Sequence, residues 1–188
     1  MQITLVRHGR PRLAVPRRIA GRELRSWIER YDEAGIDPEL PPPAKTLELA
    51  AAASCIATST LCRSIESARA MAPARATVRE AAFREAGLPS PTDARLRLSP
   101  QAWGALARIA WFLGWCPNAE TLALARQRAA AAATHLVELS HKHGSVLLVG
   151  HAVFNRLIAA ELRRSGWRGP ALPSRSYWQA GVYQRRGH

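Results

Sequence analysis

The chain has 188 residues, of which 47% are hydrophobic and 22% are charged, and this is the composition of an ordinary globular protein. The length predicts one domain over residues 1–188 that buries enough surface to fold without disulfides or a structural metal. The composition excludes a disordered chain, a collagen-like repeat and a small secreted cystine scaffold. No apolar run approaches the ~20 residues of a membrane span.

The N-terminus and the cysteines indicate the compartment. The apolar run at residues 2–6 is too short for a signal peptide and is followed by no small-residue cleavage site. The three cysteines are an odd number and form no CxxC pair, a pattern typical of reduced thiols rather than of disulfides or a zinc site. We therefore expect a cytoplasmic protein with no membrane partner.

The chain is strongly basic, with a formal net charge of +13 from 27 Lys and Arg residues against 14 Asp and Glu residues. These cations are scattered along the sequence and form no run of five or more. Such a balance is compatible with an anionic substrate and with a nucleic-acid surface. Because the sequence contains no recognisable nucleic-acid-binding motif, we expect no nucleic-acid partner.

Apolar periodicity predicts strands and helices that alternate along the chain. In chain order they are a strand at 2–6, helices at 23–34 and 44–53, a strand at 55–58, a helix at 64–71, a strand at 77–79, helices at 100–113 and 119–142, a strand at 145–149, a helix at 153–164 and a strand at 177–183. Gly87 and three prolines make residues 84–100 a long loop, and loops of that length are usually functional or disordered. The alternation predicts an α/β fold with a mostly parallel sheet.

Two of the predicted strands end in a histidine. His8 follows the first strand, preceded by Arg7, and His151 follows the strand at 145–149. Arg63 lies a short interval after the strand at 55–58. Because ligands bind at the carboxyl ends of the strands in open parallel sheets, we expect these four side chains to meet at one edge. Two guanidinium groups beside two imidazoles describe an anion site, since their geometry and charge match phosphoryl oxygens.

Three segments of the sequence resemble the histidine phosphatase (phosphoglycerate mutase-like) superfamily. Leu5-Val6-Arg7-His8-Gly9 looks like its Arg-His-Gly motif after the first strand, and residues 59–68, STLCRSIESA, are similar to its Ser-x-x-x-Arg-x-x-x-(Thr/Ser)-Ala motif. Residues 146–151, VLLVGH, are similar to its late strand with the second histidine. The three motifs occur in the family's order and span nearly the whole chain.

The resemblance implies a three-layer αβα sandwich around the sheet and a metal-independent phosphatase of the histidine acid type. Its substrate would be a phosphomonoester or a phosphohistidine, on a small molecule or a phosphoprotein, and it would need no cofactor. His8 would be the nucleophile that forms a covalent phosphohistidine. Arg7, Arg63 and His151 would bind the phosphoryl oxygens, where negative charge accumulates in the transition state.

Three further residues are nominated by looser matches. Glu85 is the nearest match to the family's general acid, with Glu80 as its rival. Arg10 stands where the family commonly has an acidic residue and would bring substrate-binding positive charge to the pocket mouth. Glu120 lies in a segment similar to the family's Gly-Glu-Ser, which often borders the substrate. Equally, Asn118 is a good helix N-cap and Glu120 suits the positive end of a helix.

Two alternatives to the phosphatase remain open. One is a phosphoglycerate mutase-type phosphotransferase, which is disfavoured because mutases of this family are generally longer. The other is a phosphate-binding protein of the same fold without turnover, which the loose match at Glu85 keeps open. No sequence pattern indicates an oligomeric state.

Overall fold

The computed structural model describes residues 1–185; residues 186–188, the end of the predicted domain, lie outside the described part. Its strands are β1 (Gln2–Arg7), β2 (Ile19–Ala20), β3 (Cys55–Thr58), β4 (Thr77–Arg79), β5 (Arg97–Leu98), β6 (Ser145–Gly150) and β7 (Ala180–Gln184). Its α-helices are α1 (Leu24–Glu33), α2 (Ala44–Ala52), α3 (Cys62–Met71), α4 (Pro100–Phe112), α5 (Leu122–His143) and α6 (Ala152–Arg164).

The main sheet has the strand order β4-β3-β6-β1-β7. Its first four strands run parallel to one another, and β7 pairs antiparallel with β1 at the edge. The register places Arg7 opposite Gly150 and Thr58 opposite Val149. The carboxyl ends of β1, β6 and β3 therefore lie side by side, although they are far apart in the sequence.

Helices cover both faces of this sheet because its central strands are apolar on both sides. Leu5 and Leu148 belong to one core cluster with residues of α5 and α6, including Leu136 and Phe154. The neighbouring positions on the same strands point to the opposite face, where Val149 packs with residues of α2 and α3. The predicted α/β architecture, with helices flanking a mostly parallel sheet, is confirmed.

A smaller unit packs beside the carboxyl edge of the main sheet. The two-residue strands β2 and β5 pair antiparallel, and their side chains form a third apolar cluster with α1 and α4, in which Leu24 and Trp103 are buried. The indole Nε1 of Trp103 donates a hydrogen bond to the carbonyl of Ile19 at 3.1 Å, which joins α4 to this small sheet. The sequence did not predict β2 and β5, because two residues carry no readable periodicity.

Two predicted boundaries are wrong by three residues, each next to a residue with a left-handed backbone. The last strand begins at Ala180 rather than at 177, since Trp178 has φ +64° and interrupts the extended chain. Helix α5 begins at Leu122 rather than at 119: Asn118 has φ +58°, and the side chain of Thr121 caps the helix by accepting from Leu124 N. Asn118 is therefore not the N-cap.

Within residues 1–185, no helix is both long enough and apolar enough to cross a membrane.

Candidate active site

The ends of β1, β6 and β3 bring Arg7, His8, His151 and the start of α3 together. The backbone N–H of His8 donates to the carbonyl of Gly150 at 3.1 Å, which holds the loop after β1 against the end of β6. Gly9 is required next to it, because a Cβ there would overlap the ring of Trp178. The N–H of Gly9 donates to Ser67 Oγ of α3 at 2.8 Å, so the histidine loop is fixed from both sides.

The tautomer of His8 is set by its two neighbours. Nδ1 lies 2.7 Å from the carbonyl oxygen of Gly9, and because a carbonyl only accepts, Nδ1 carries the hydrogen. On the other side of the ring, Arg63 Nε donates to Nε2 at 3.3 Å. Nε2 therefore holds a lone pair that faces a guanidinium, which is the form of imidazole that a nucleophile requires.

Burial and neighbouring charges keep both histidines neutral. His8 and His151 have rings 5.0 Å apart and are both buried. Desolvation holds the pKa of His8 well below its ordinary value of 6.5, and the positive charges of Arg63 and Arg7 act in the same direction, against the raising effect of the Gly9 hydrogen bond. Desolvation also lowers the pKa of His151, with further lowering from His8 and the nearby arginines.

A serine orients His151. Ser59 Oγ lies 2.7 Å from Nε2 of His151 and accepts the N–H of Leu61 at 3.3 Å. Among residues 1–185 the hydroxyl has no other acceptor, so we infer that its hydrogen is donated to Nε2, which leaves the hydrogen of the neutral ring on Nδ1. This Nδ1 is buried and has no hydrogen-bond partner among residues 1–185, so it is a donor available to an anion.

The two candidate phosphate-binding arginines are held by different sets of contacts. Arg63, 2% exposed, donates from Nη1 to the Asp32 carboxylate at 3.0 Å and to the carbonyl of Tyr31 at 2.9 Å. Arg7 donates to the carbonyl of Arg175, and its Cζ lies 3.9 Å from the centre of the Tyr177 ring. The Tyr177 ring is itself 5.7 Å from that of His8, so it covers the histidine.

Glu85 lies at the N-terminus of α6, next to His151. Its Oε1 accepts from the backbone N–H groups of Phe154 at 2.8 Å and Ala86 at 3.0 Å, and Oε2 accepts from Val153 at 3.2 Å. A carboxylate oxygen has two lone-pair sites, so Oε2 keeps one site for a proton while Oε1 is fully engaged. Glu85 is thus a helix cap that also has a position for an exchangeable proton.

Two adjoining clefts, of about 380 and 490 Å³, approach this group of residues. Arg63 lines the smaller cleft and Arg7 the larger one, and both clefts share the side chains of Tyr31 and Glu85. Neither His8 nor His151 lines either cleft. The nucleophile nominated from the sequence is therefore buried rather than exposed in either cleft, with the Tyr177 ring next to it.

The three residues nominated by looser matches, and the rival Glu80, differ in whether they line a cleft. Arg10 is exposed and lines the larger cleft. Glu120 lies outside both clefts: its carboxylate pairs with Arg128 and accepts the N–H of Gly87 at 3.3 Å, which ties the start of α5 to the long loop. Glu80 is exposed and also lines neither cleft.

Sequence reasoning assigned no role to four residues of the site: Ser59, Tyr31, Asp32 and Tyr177. Ser59 had a signal, since it opens the second motif. Tyr177 was predicted to lie in the last strand, and nothing in the sequence of α1 places Tyr31 and Asp32 beside Arg63. As for a metal, residues 1–185 contain no group of three or more His, Cys, Asp or Glu side chains arranged to hold one.

Solved structures share this fold. Mycobacterial glucosyl-3-phosphoglycerate phosphatase is 19% identical, with a TM-score of 0.56 over 87% of this chain and 79% of that one. A mycobacterial hydrolase is 18% identical, with a TM-score of 0.58 over 87% and 78%. Phosphoserine phosphatase from Entamoeba histolytica, in complex with 3-phosphoglyceric acid, is 14% identical, with a TM-score of 0.54 over 87% and 80%. At these identities the likeness shows the fold alone.

Sequence comparison supplies the family. A search of curated proteins finds no significant match. The family model of the histidine phosphatase superfamily (branch 1) matches residues 44–178, well over half of the chain. The match includes Arg63, Glu85 and His151, and Arg7 and His8 precede it. The chain therefore belongs to the histidine phosphatase superfamily.

Proposed function

We propose that this protein is a metal-independent phosphatase that hydrolyses a phosphomonoester through a phosphohistidine on His8. The observation that carries the proposal is the tautomer of His8. Its Nδ1–H is committed to the Gly9 carbonyl, and its Nε2 lone pair faces Arg63. A neutral imidazole with Nε2 free to attack is what in-line transfer of a phosphoryl group requires.

The first step forms a bond between His8 Nε2 and phosphorus while the P–O bond to the leaving group breaks. Arg63 Nε–H, which faces Nε2 in the free site, turns to a phosphoryl oxygen as the substrate enters. Arg7 and the Nδ1–H of His151 donate to the other oxygens, where charge increases in the transition state. These donors are fixed beforehand by Tyr177, Ser59 and Asp32.

The proton follows the leaving group. The departing alkoxide takes a proton from Glu85 Oε2, and the resulting carboxylate is stabilised by the backbone N–H groups at the start of α6. Water then attacks phosphorus, the P–N bond breaks, and inorganic phosphate leaves as Glu85 recovers a proton from the water. His8 returns to its neutral form with the Nε2 lone pair restored.

The relatives support a phosphatase. Two of the structural relatives are named as phosphatases, of glucosyl-3-phosphoglycerate and of phosphoserine. A phosphate-binding protein without turnover is the second candidate. The engagement of Glu85 with three backbone N–H groups favours this alternative, because such a carboxylate serves the helix even if it never transfers a proton.

The test is to trap the covalent adduct. After incubation with p-nitrophenyl phosphate and rapid quenching in alkali, mass spectrometry should locate a phosphoryl group on His8 that acid removes. His8→Asn should lose the adduct and lower turnover by about 10³-fold or more. His141→Asn, at an exposed histidine of α5, is the matched control and should retain both. Full turnover by His8→Asn would refute the mechanism, and phosphate binding without turnover by the wild type would favour the binding protein.

A further inference from the structure

The larger cleft holds more positive charge than one phosphoryl group needs. Four arginines line it: Arg7, Arg10, Arg108 and Arg175. They come from the end of β1 and the loop after it, from the middle of α4 and from the segment before β7, so the fold gathers them from three distant parts of the chain. Among the described residues, Glu85 is the only carboxylate that lines this cleft.

Within residues 1–185, none of these four arginines forms an ion pair with a carboxylate. Glu85 is engaged by backbone N–H groups rather than by a guanidinium. Arg10 and Arg175 are both exposed at the cleft mouth, where their donors can reach an incoming anion.

Arg108 is a fixed positive charge in the same cleft. Its Nη1 and Nη2 donate to the carbonyls of Gly87 at 3.1 Å and Ala86 at 2.9 Å, and its Cζ lies 4.7 Å from the centre of the Trp111 ring. Burial lowers the pKa of Arg108, Glu85 raises it and the charge of Arg175 lowers it again, so the guanidinium groups of Arg108 and Arg175 act on each other within the cleft. Arg108 and Arg175 line the same cleft, and like charges gathered in one cleft attract a counter-anion.

In the proposed reaction Arg7 and Arg63 bind the phosphoryl group, whereas Arg10 and Arg175 have no role in that step. We propose that this cleft binds a phosphomonoester that carries a second anionic group, a carboxylate or a second phosphate, with Arg10 and Arg175 as its ligands and Arg108 as a supporting charge. This inference rests on the proposed function, because it assumes that the first phosphate lies at His8. It adds the substrate class, which the His8 mechanism leaves open.

The remaining walls of the cleft suit the body of a small organic molecule. Leu13, Val15, Trp27 and Leu88 supply an apolar side, and the volume of about 490 Å³ lies within the range of small-molecule sites. A phosphate bound near Arg7 and a second anion bound near Arg10, three residues along the chain, would then hold the two ends of one compact substrate.

The experiment compares substrates that differ only in the second charge. One pair is 3-phosphoglycerate and glycerol 3-phosphate, which differ by a carboxylate in place of a hydroxymethyl group. The other is fructose 1,6-bisphosphate and fructose 6-phosphate. We expect kcat/KM to favour the more highly charged member of at least one pair by about tenfold or more, and the favoured pair tells a carboxylate from a second phosphate.

The variants assign the preference to the cleft. Arg10→Gln and Arg175→Gln should each reduce it by about tenfold. Arg126→Gln, at an exposed arginine of α5 that lines neither cleft, removes the same charge and should leave the preference intact. The inference would be overturned if the wild-type ratio of kcat/KM values were near one for both pairs. It would also be overturned if neither cleft variant altered that ratio.

The test of the second anion site can fail while the proposed function stands, and the reverse. If p-nitrophenyl phosphate is hydrolysed in a His8-dependent way but no preference is found, the mechanism stands and the second anion site does not. If turnover is absent, calorimetric titration of the same pairs into the wild-type protein still measures the preference. In that titration, equal affinities within both pairs refute the site, and a preference that Arg10→Gln removes supports it.

Discussion

Arg63 donates from Nε to Nε2 of His8 across 3.3 Å, so the nucleophile and the group that would bind the phosphoryl oxygens are in direct contact before any substrate arrives. This arrangement protects the Nε2 lone pair from protonation, since the site already holds a positive charge there. It also requires that the guanidinium of Arg63 be accurately oriented. Asp32 orients it, because its carboxylate binds the Nη1 end of the same guanidinium at 3.0 Å.

The first prediction concerns this positioning. Asp32→Ala should leave the protein folded and lower kcat/KM by about tenfold, because small displacements of a binding group are costly to the transition state. Asp32→Asn should lose less, since its amide oxygen still accepts from Arg63. Glu33→Gln, at the exposed neighbouring position, is the control. Steady-state kinetics with p-nitrophenyl phosphate measure the effect, and unchanged kinetics in Asp32→Ala would show that Arg63 is positioned without Asp32.

The second prediction follows from the two buried histidines. Their pKa values in the folded protein lie well below the ordinary 6.5, so the unfolded chain takes up protons below pH 6.5 that the folded protein does not. The free energy of unfolding should therefore fall as pH falls from 6.5, by about 1.4 kcal/mol per pH unit for each histidine. The loss should stop below the folded pKa values, where both states are protonated.

Denaturant unfolding at several pH values measures this slope. His8→Asn and His151→Asn should each remove about half of the slope that the two histidines contribute, whatever they do to stability at pH 7. His141→Asn, at an exposed position, should keep the slope of the wild type. Equal slopes in all four proteins would mean that neither buried histidine resists protonation.

The third prediction concerns Ser59 as the positioning residue of His151. Ser59→Ala removes the hydroxyl that holds Nε2, so the ring loses its fixed tautomer and kcat should fall by about tenfold with little change in KM. Ser140→Ala removes another buried hydroxyl, which donates to a carbonyl within α5. It should cost similar stability without the loss of kcat. A matched fall in both variants would indicate a structural role alone.

The fourth prediction concerns Tyr177, which covers the nucleophile. His8 is 2% exposed, with the Tyr177 ring 5.7 Å from its own. Tyr177→Ala should speed the acylation of His8 by diethyl pyrocarbonate, whereas Tyr177→Phe keeps the ring and should react at the rate of the wild type. Mass spectrometry of the modified peptide gives the rates. Equal rates in all three proteins would show that access to His8 is controlled elsewhere.

The sequence predicted those residues of the site whose positions follow from the ends of the strands. Parallel strands place their carboxyl ends at one edge, so His8 and His151 come together once β1 and β6 are recognised. The apolar runs that mark those strands are dense and continuous, and the two strands pair in parallel with Arg7 opposite Gly150. Arg63 follows for the same reason, because α3 begins four residues after β3 ends.

The rest depends on contacts that no local pattern encodes. Tyr177 lies next to His8 and precedes Trp178, whose left-handed backbone, φ +64°, is rare for a bulky residue. The apolar letters around Tyr177 are equally compatible with a strand. Tyr31 and Asp32 reach Arg63 through the packing of α1, and Glu120 lies outside the clefts, where it pairs with Arg128, two turns along α5. Such choices are made by tertiary packing.

The last prediction concerns Glu85, whose two possible roles are separable. As a cap it accepts three backbone N–H groups, and as an acid it would donate from Oε2. An alkoxide leaving group needs that proton, but p-nitrophenolate is a stable anion near neutral pH. Glu85→Gln should therefore lose about 10² to 10⁴ in kcat on glycerol 3-phosphate and far less on p-nitrophenyl phosphate. Steady-state kinetics on both substrates give the comparison.

A general acid is identified by a larger loss of kcat on glycerol 3-phosphate than on p-nitrophenyl phosphate. A damaged cap loosens the start of α6 beside His151 and would slow both substrates alike. Glu80→Gln, at an exposed carboxylate outside both clefts, should lose little on either. If Glu85→Gln lost kcat equally on both substrates, Glu85 would act only as a helix cap. The natural leaving group would then need no proton from Glu85, as when the phosphoryl group comes from the imidazole of a phosphohistidine, which departs readily once protonated by solvent.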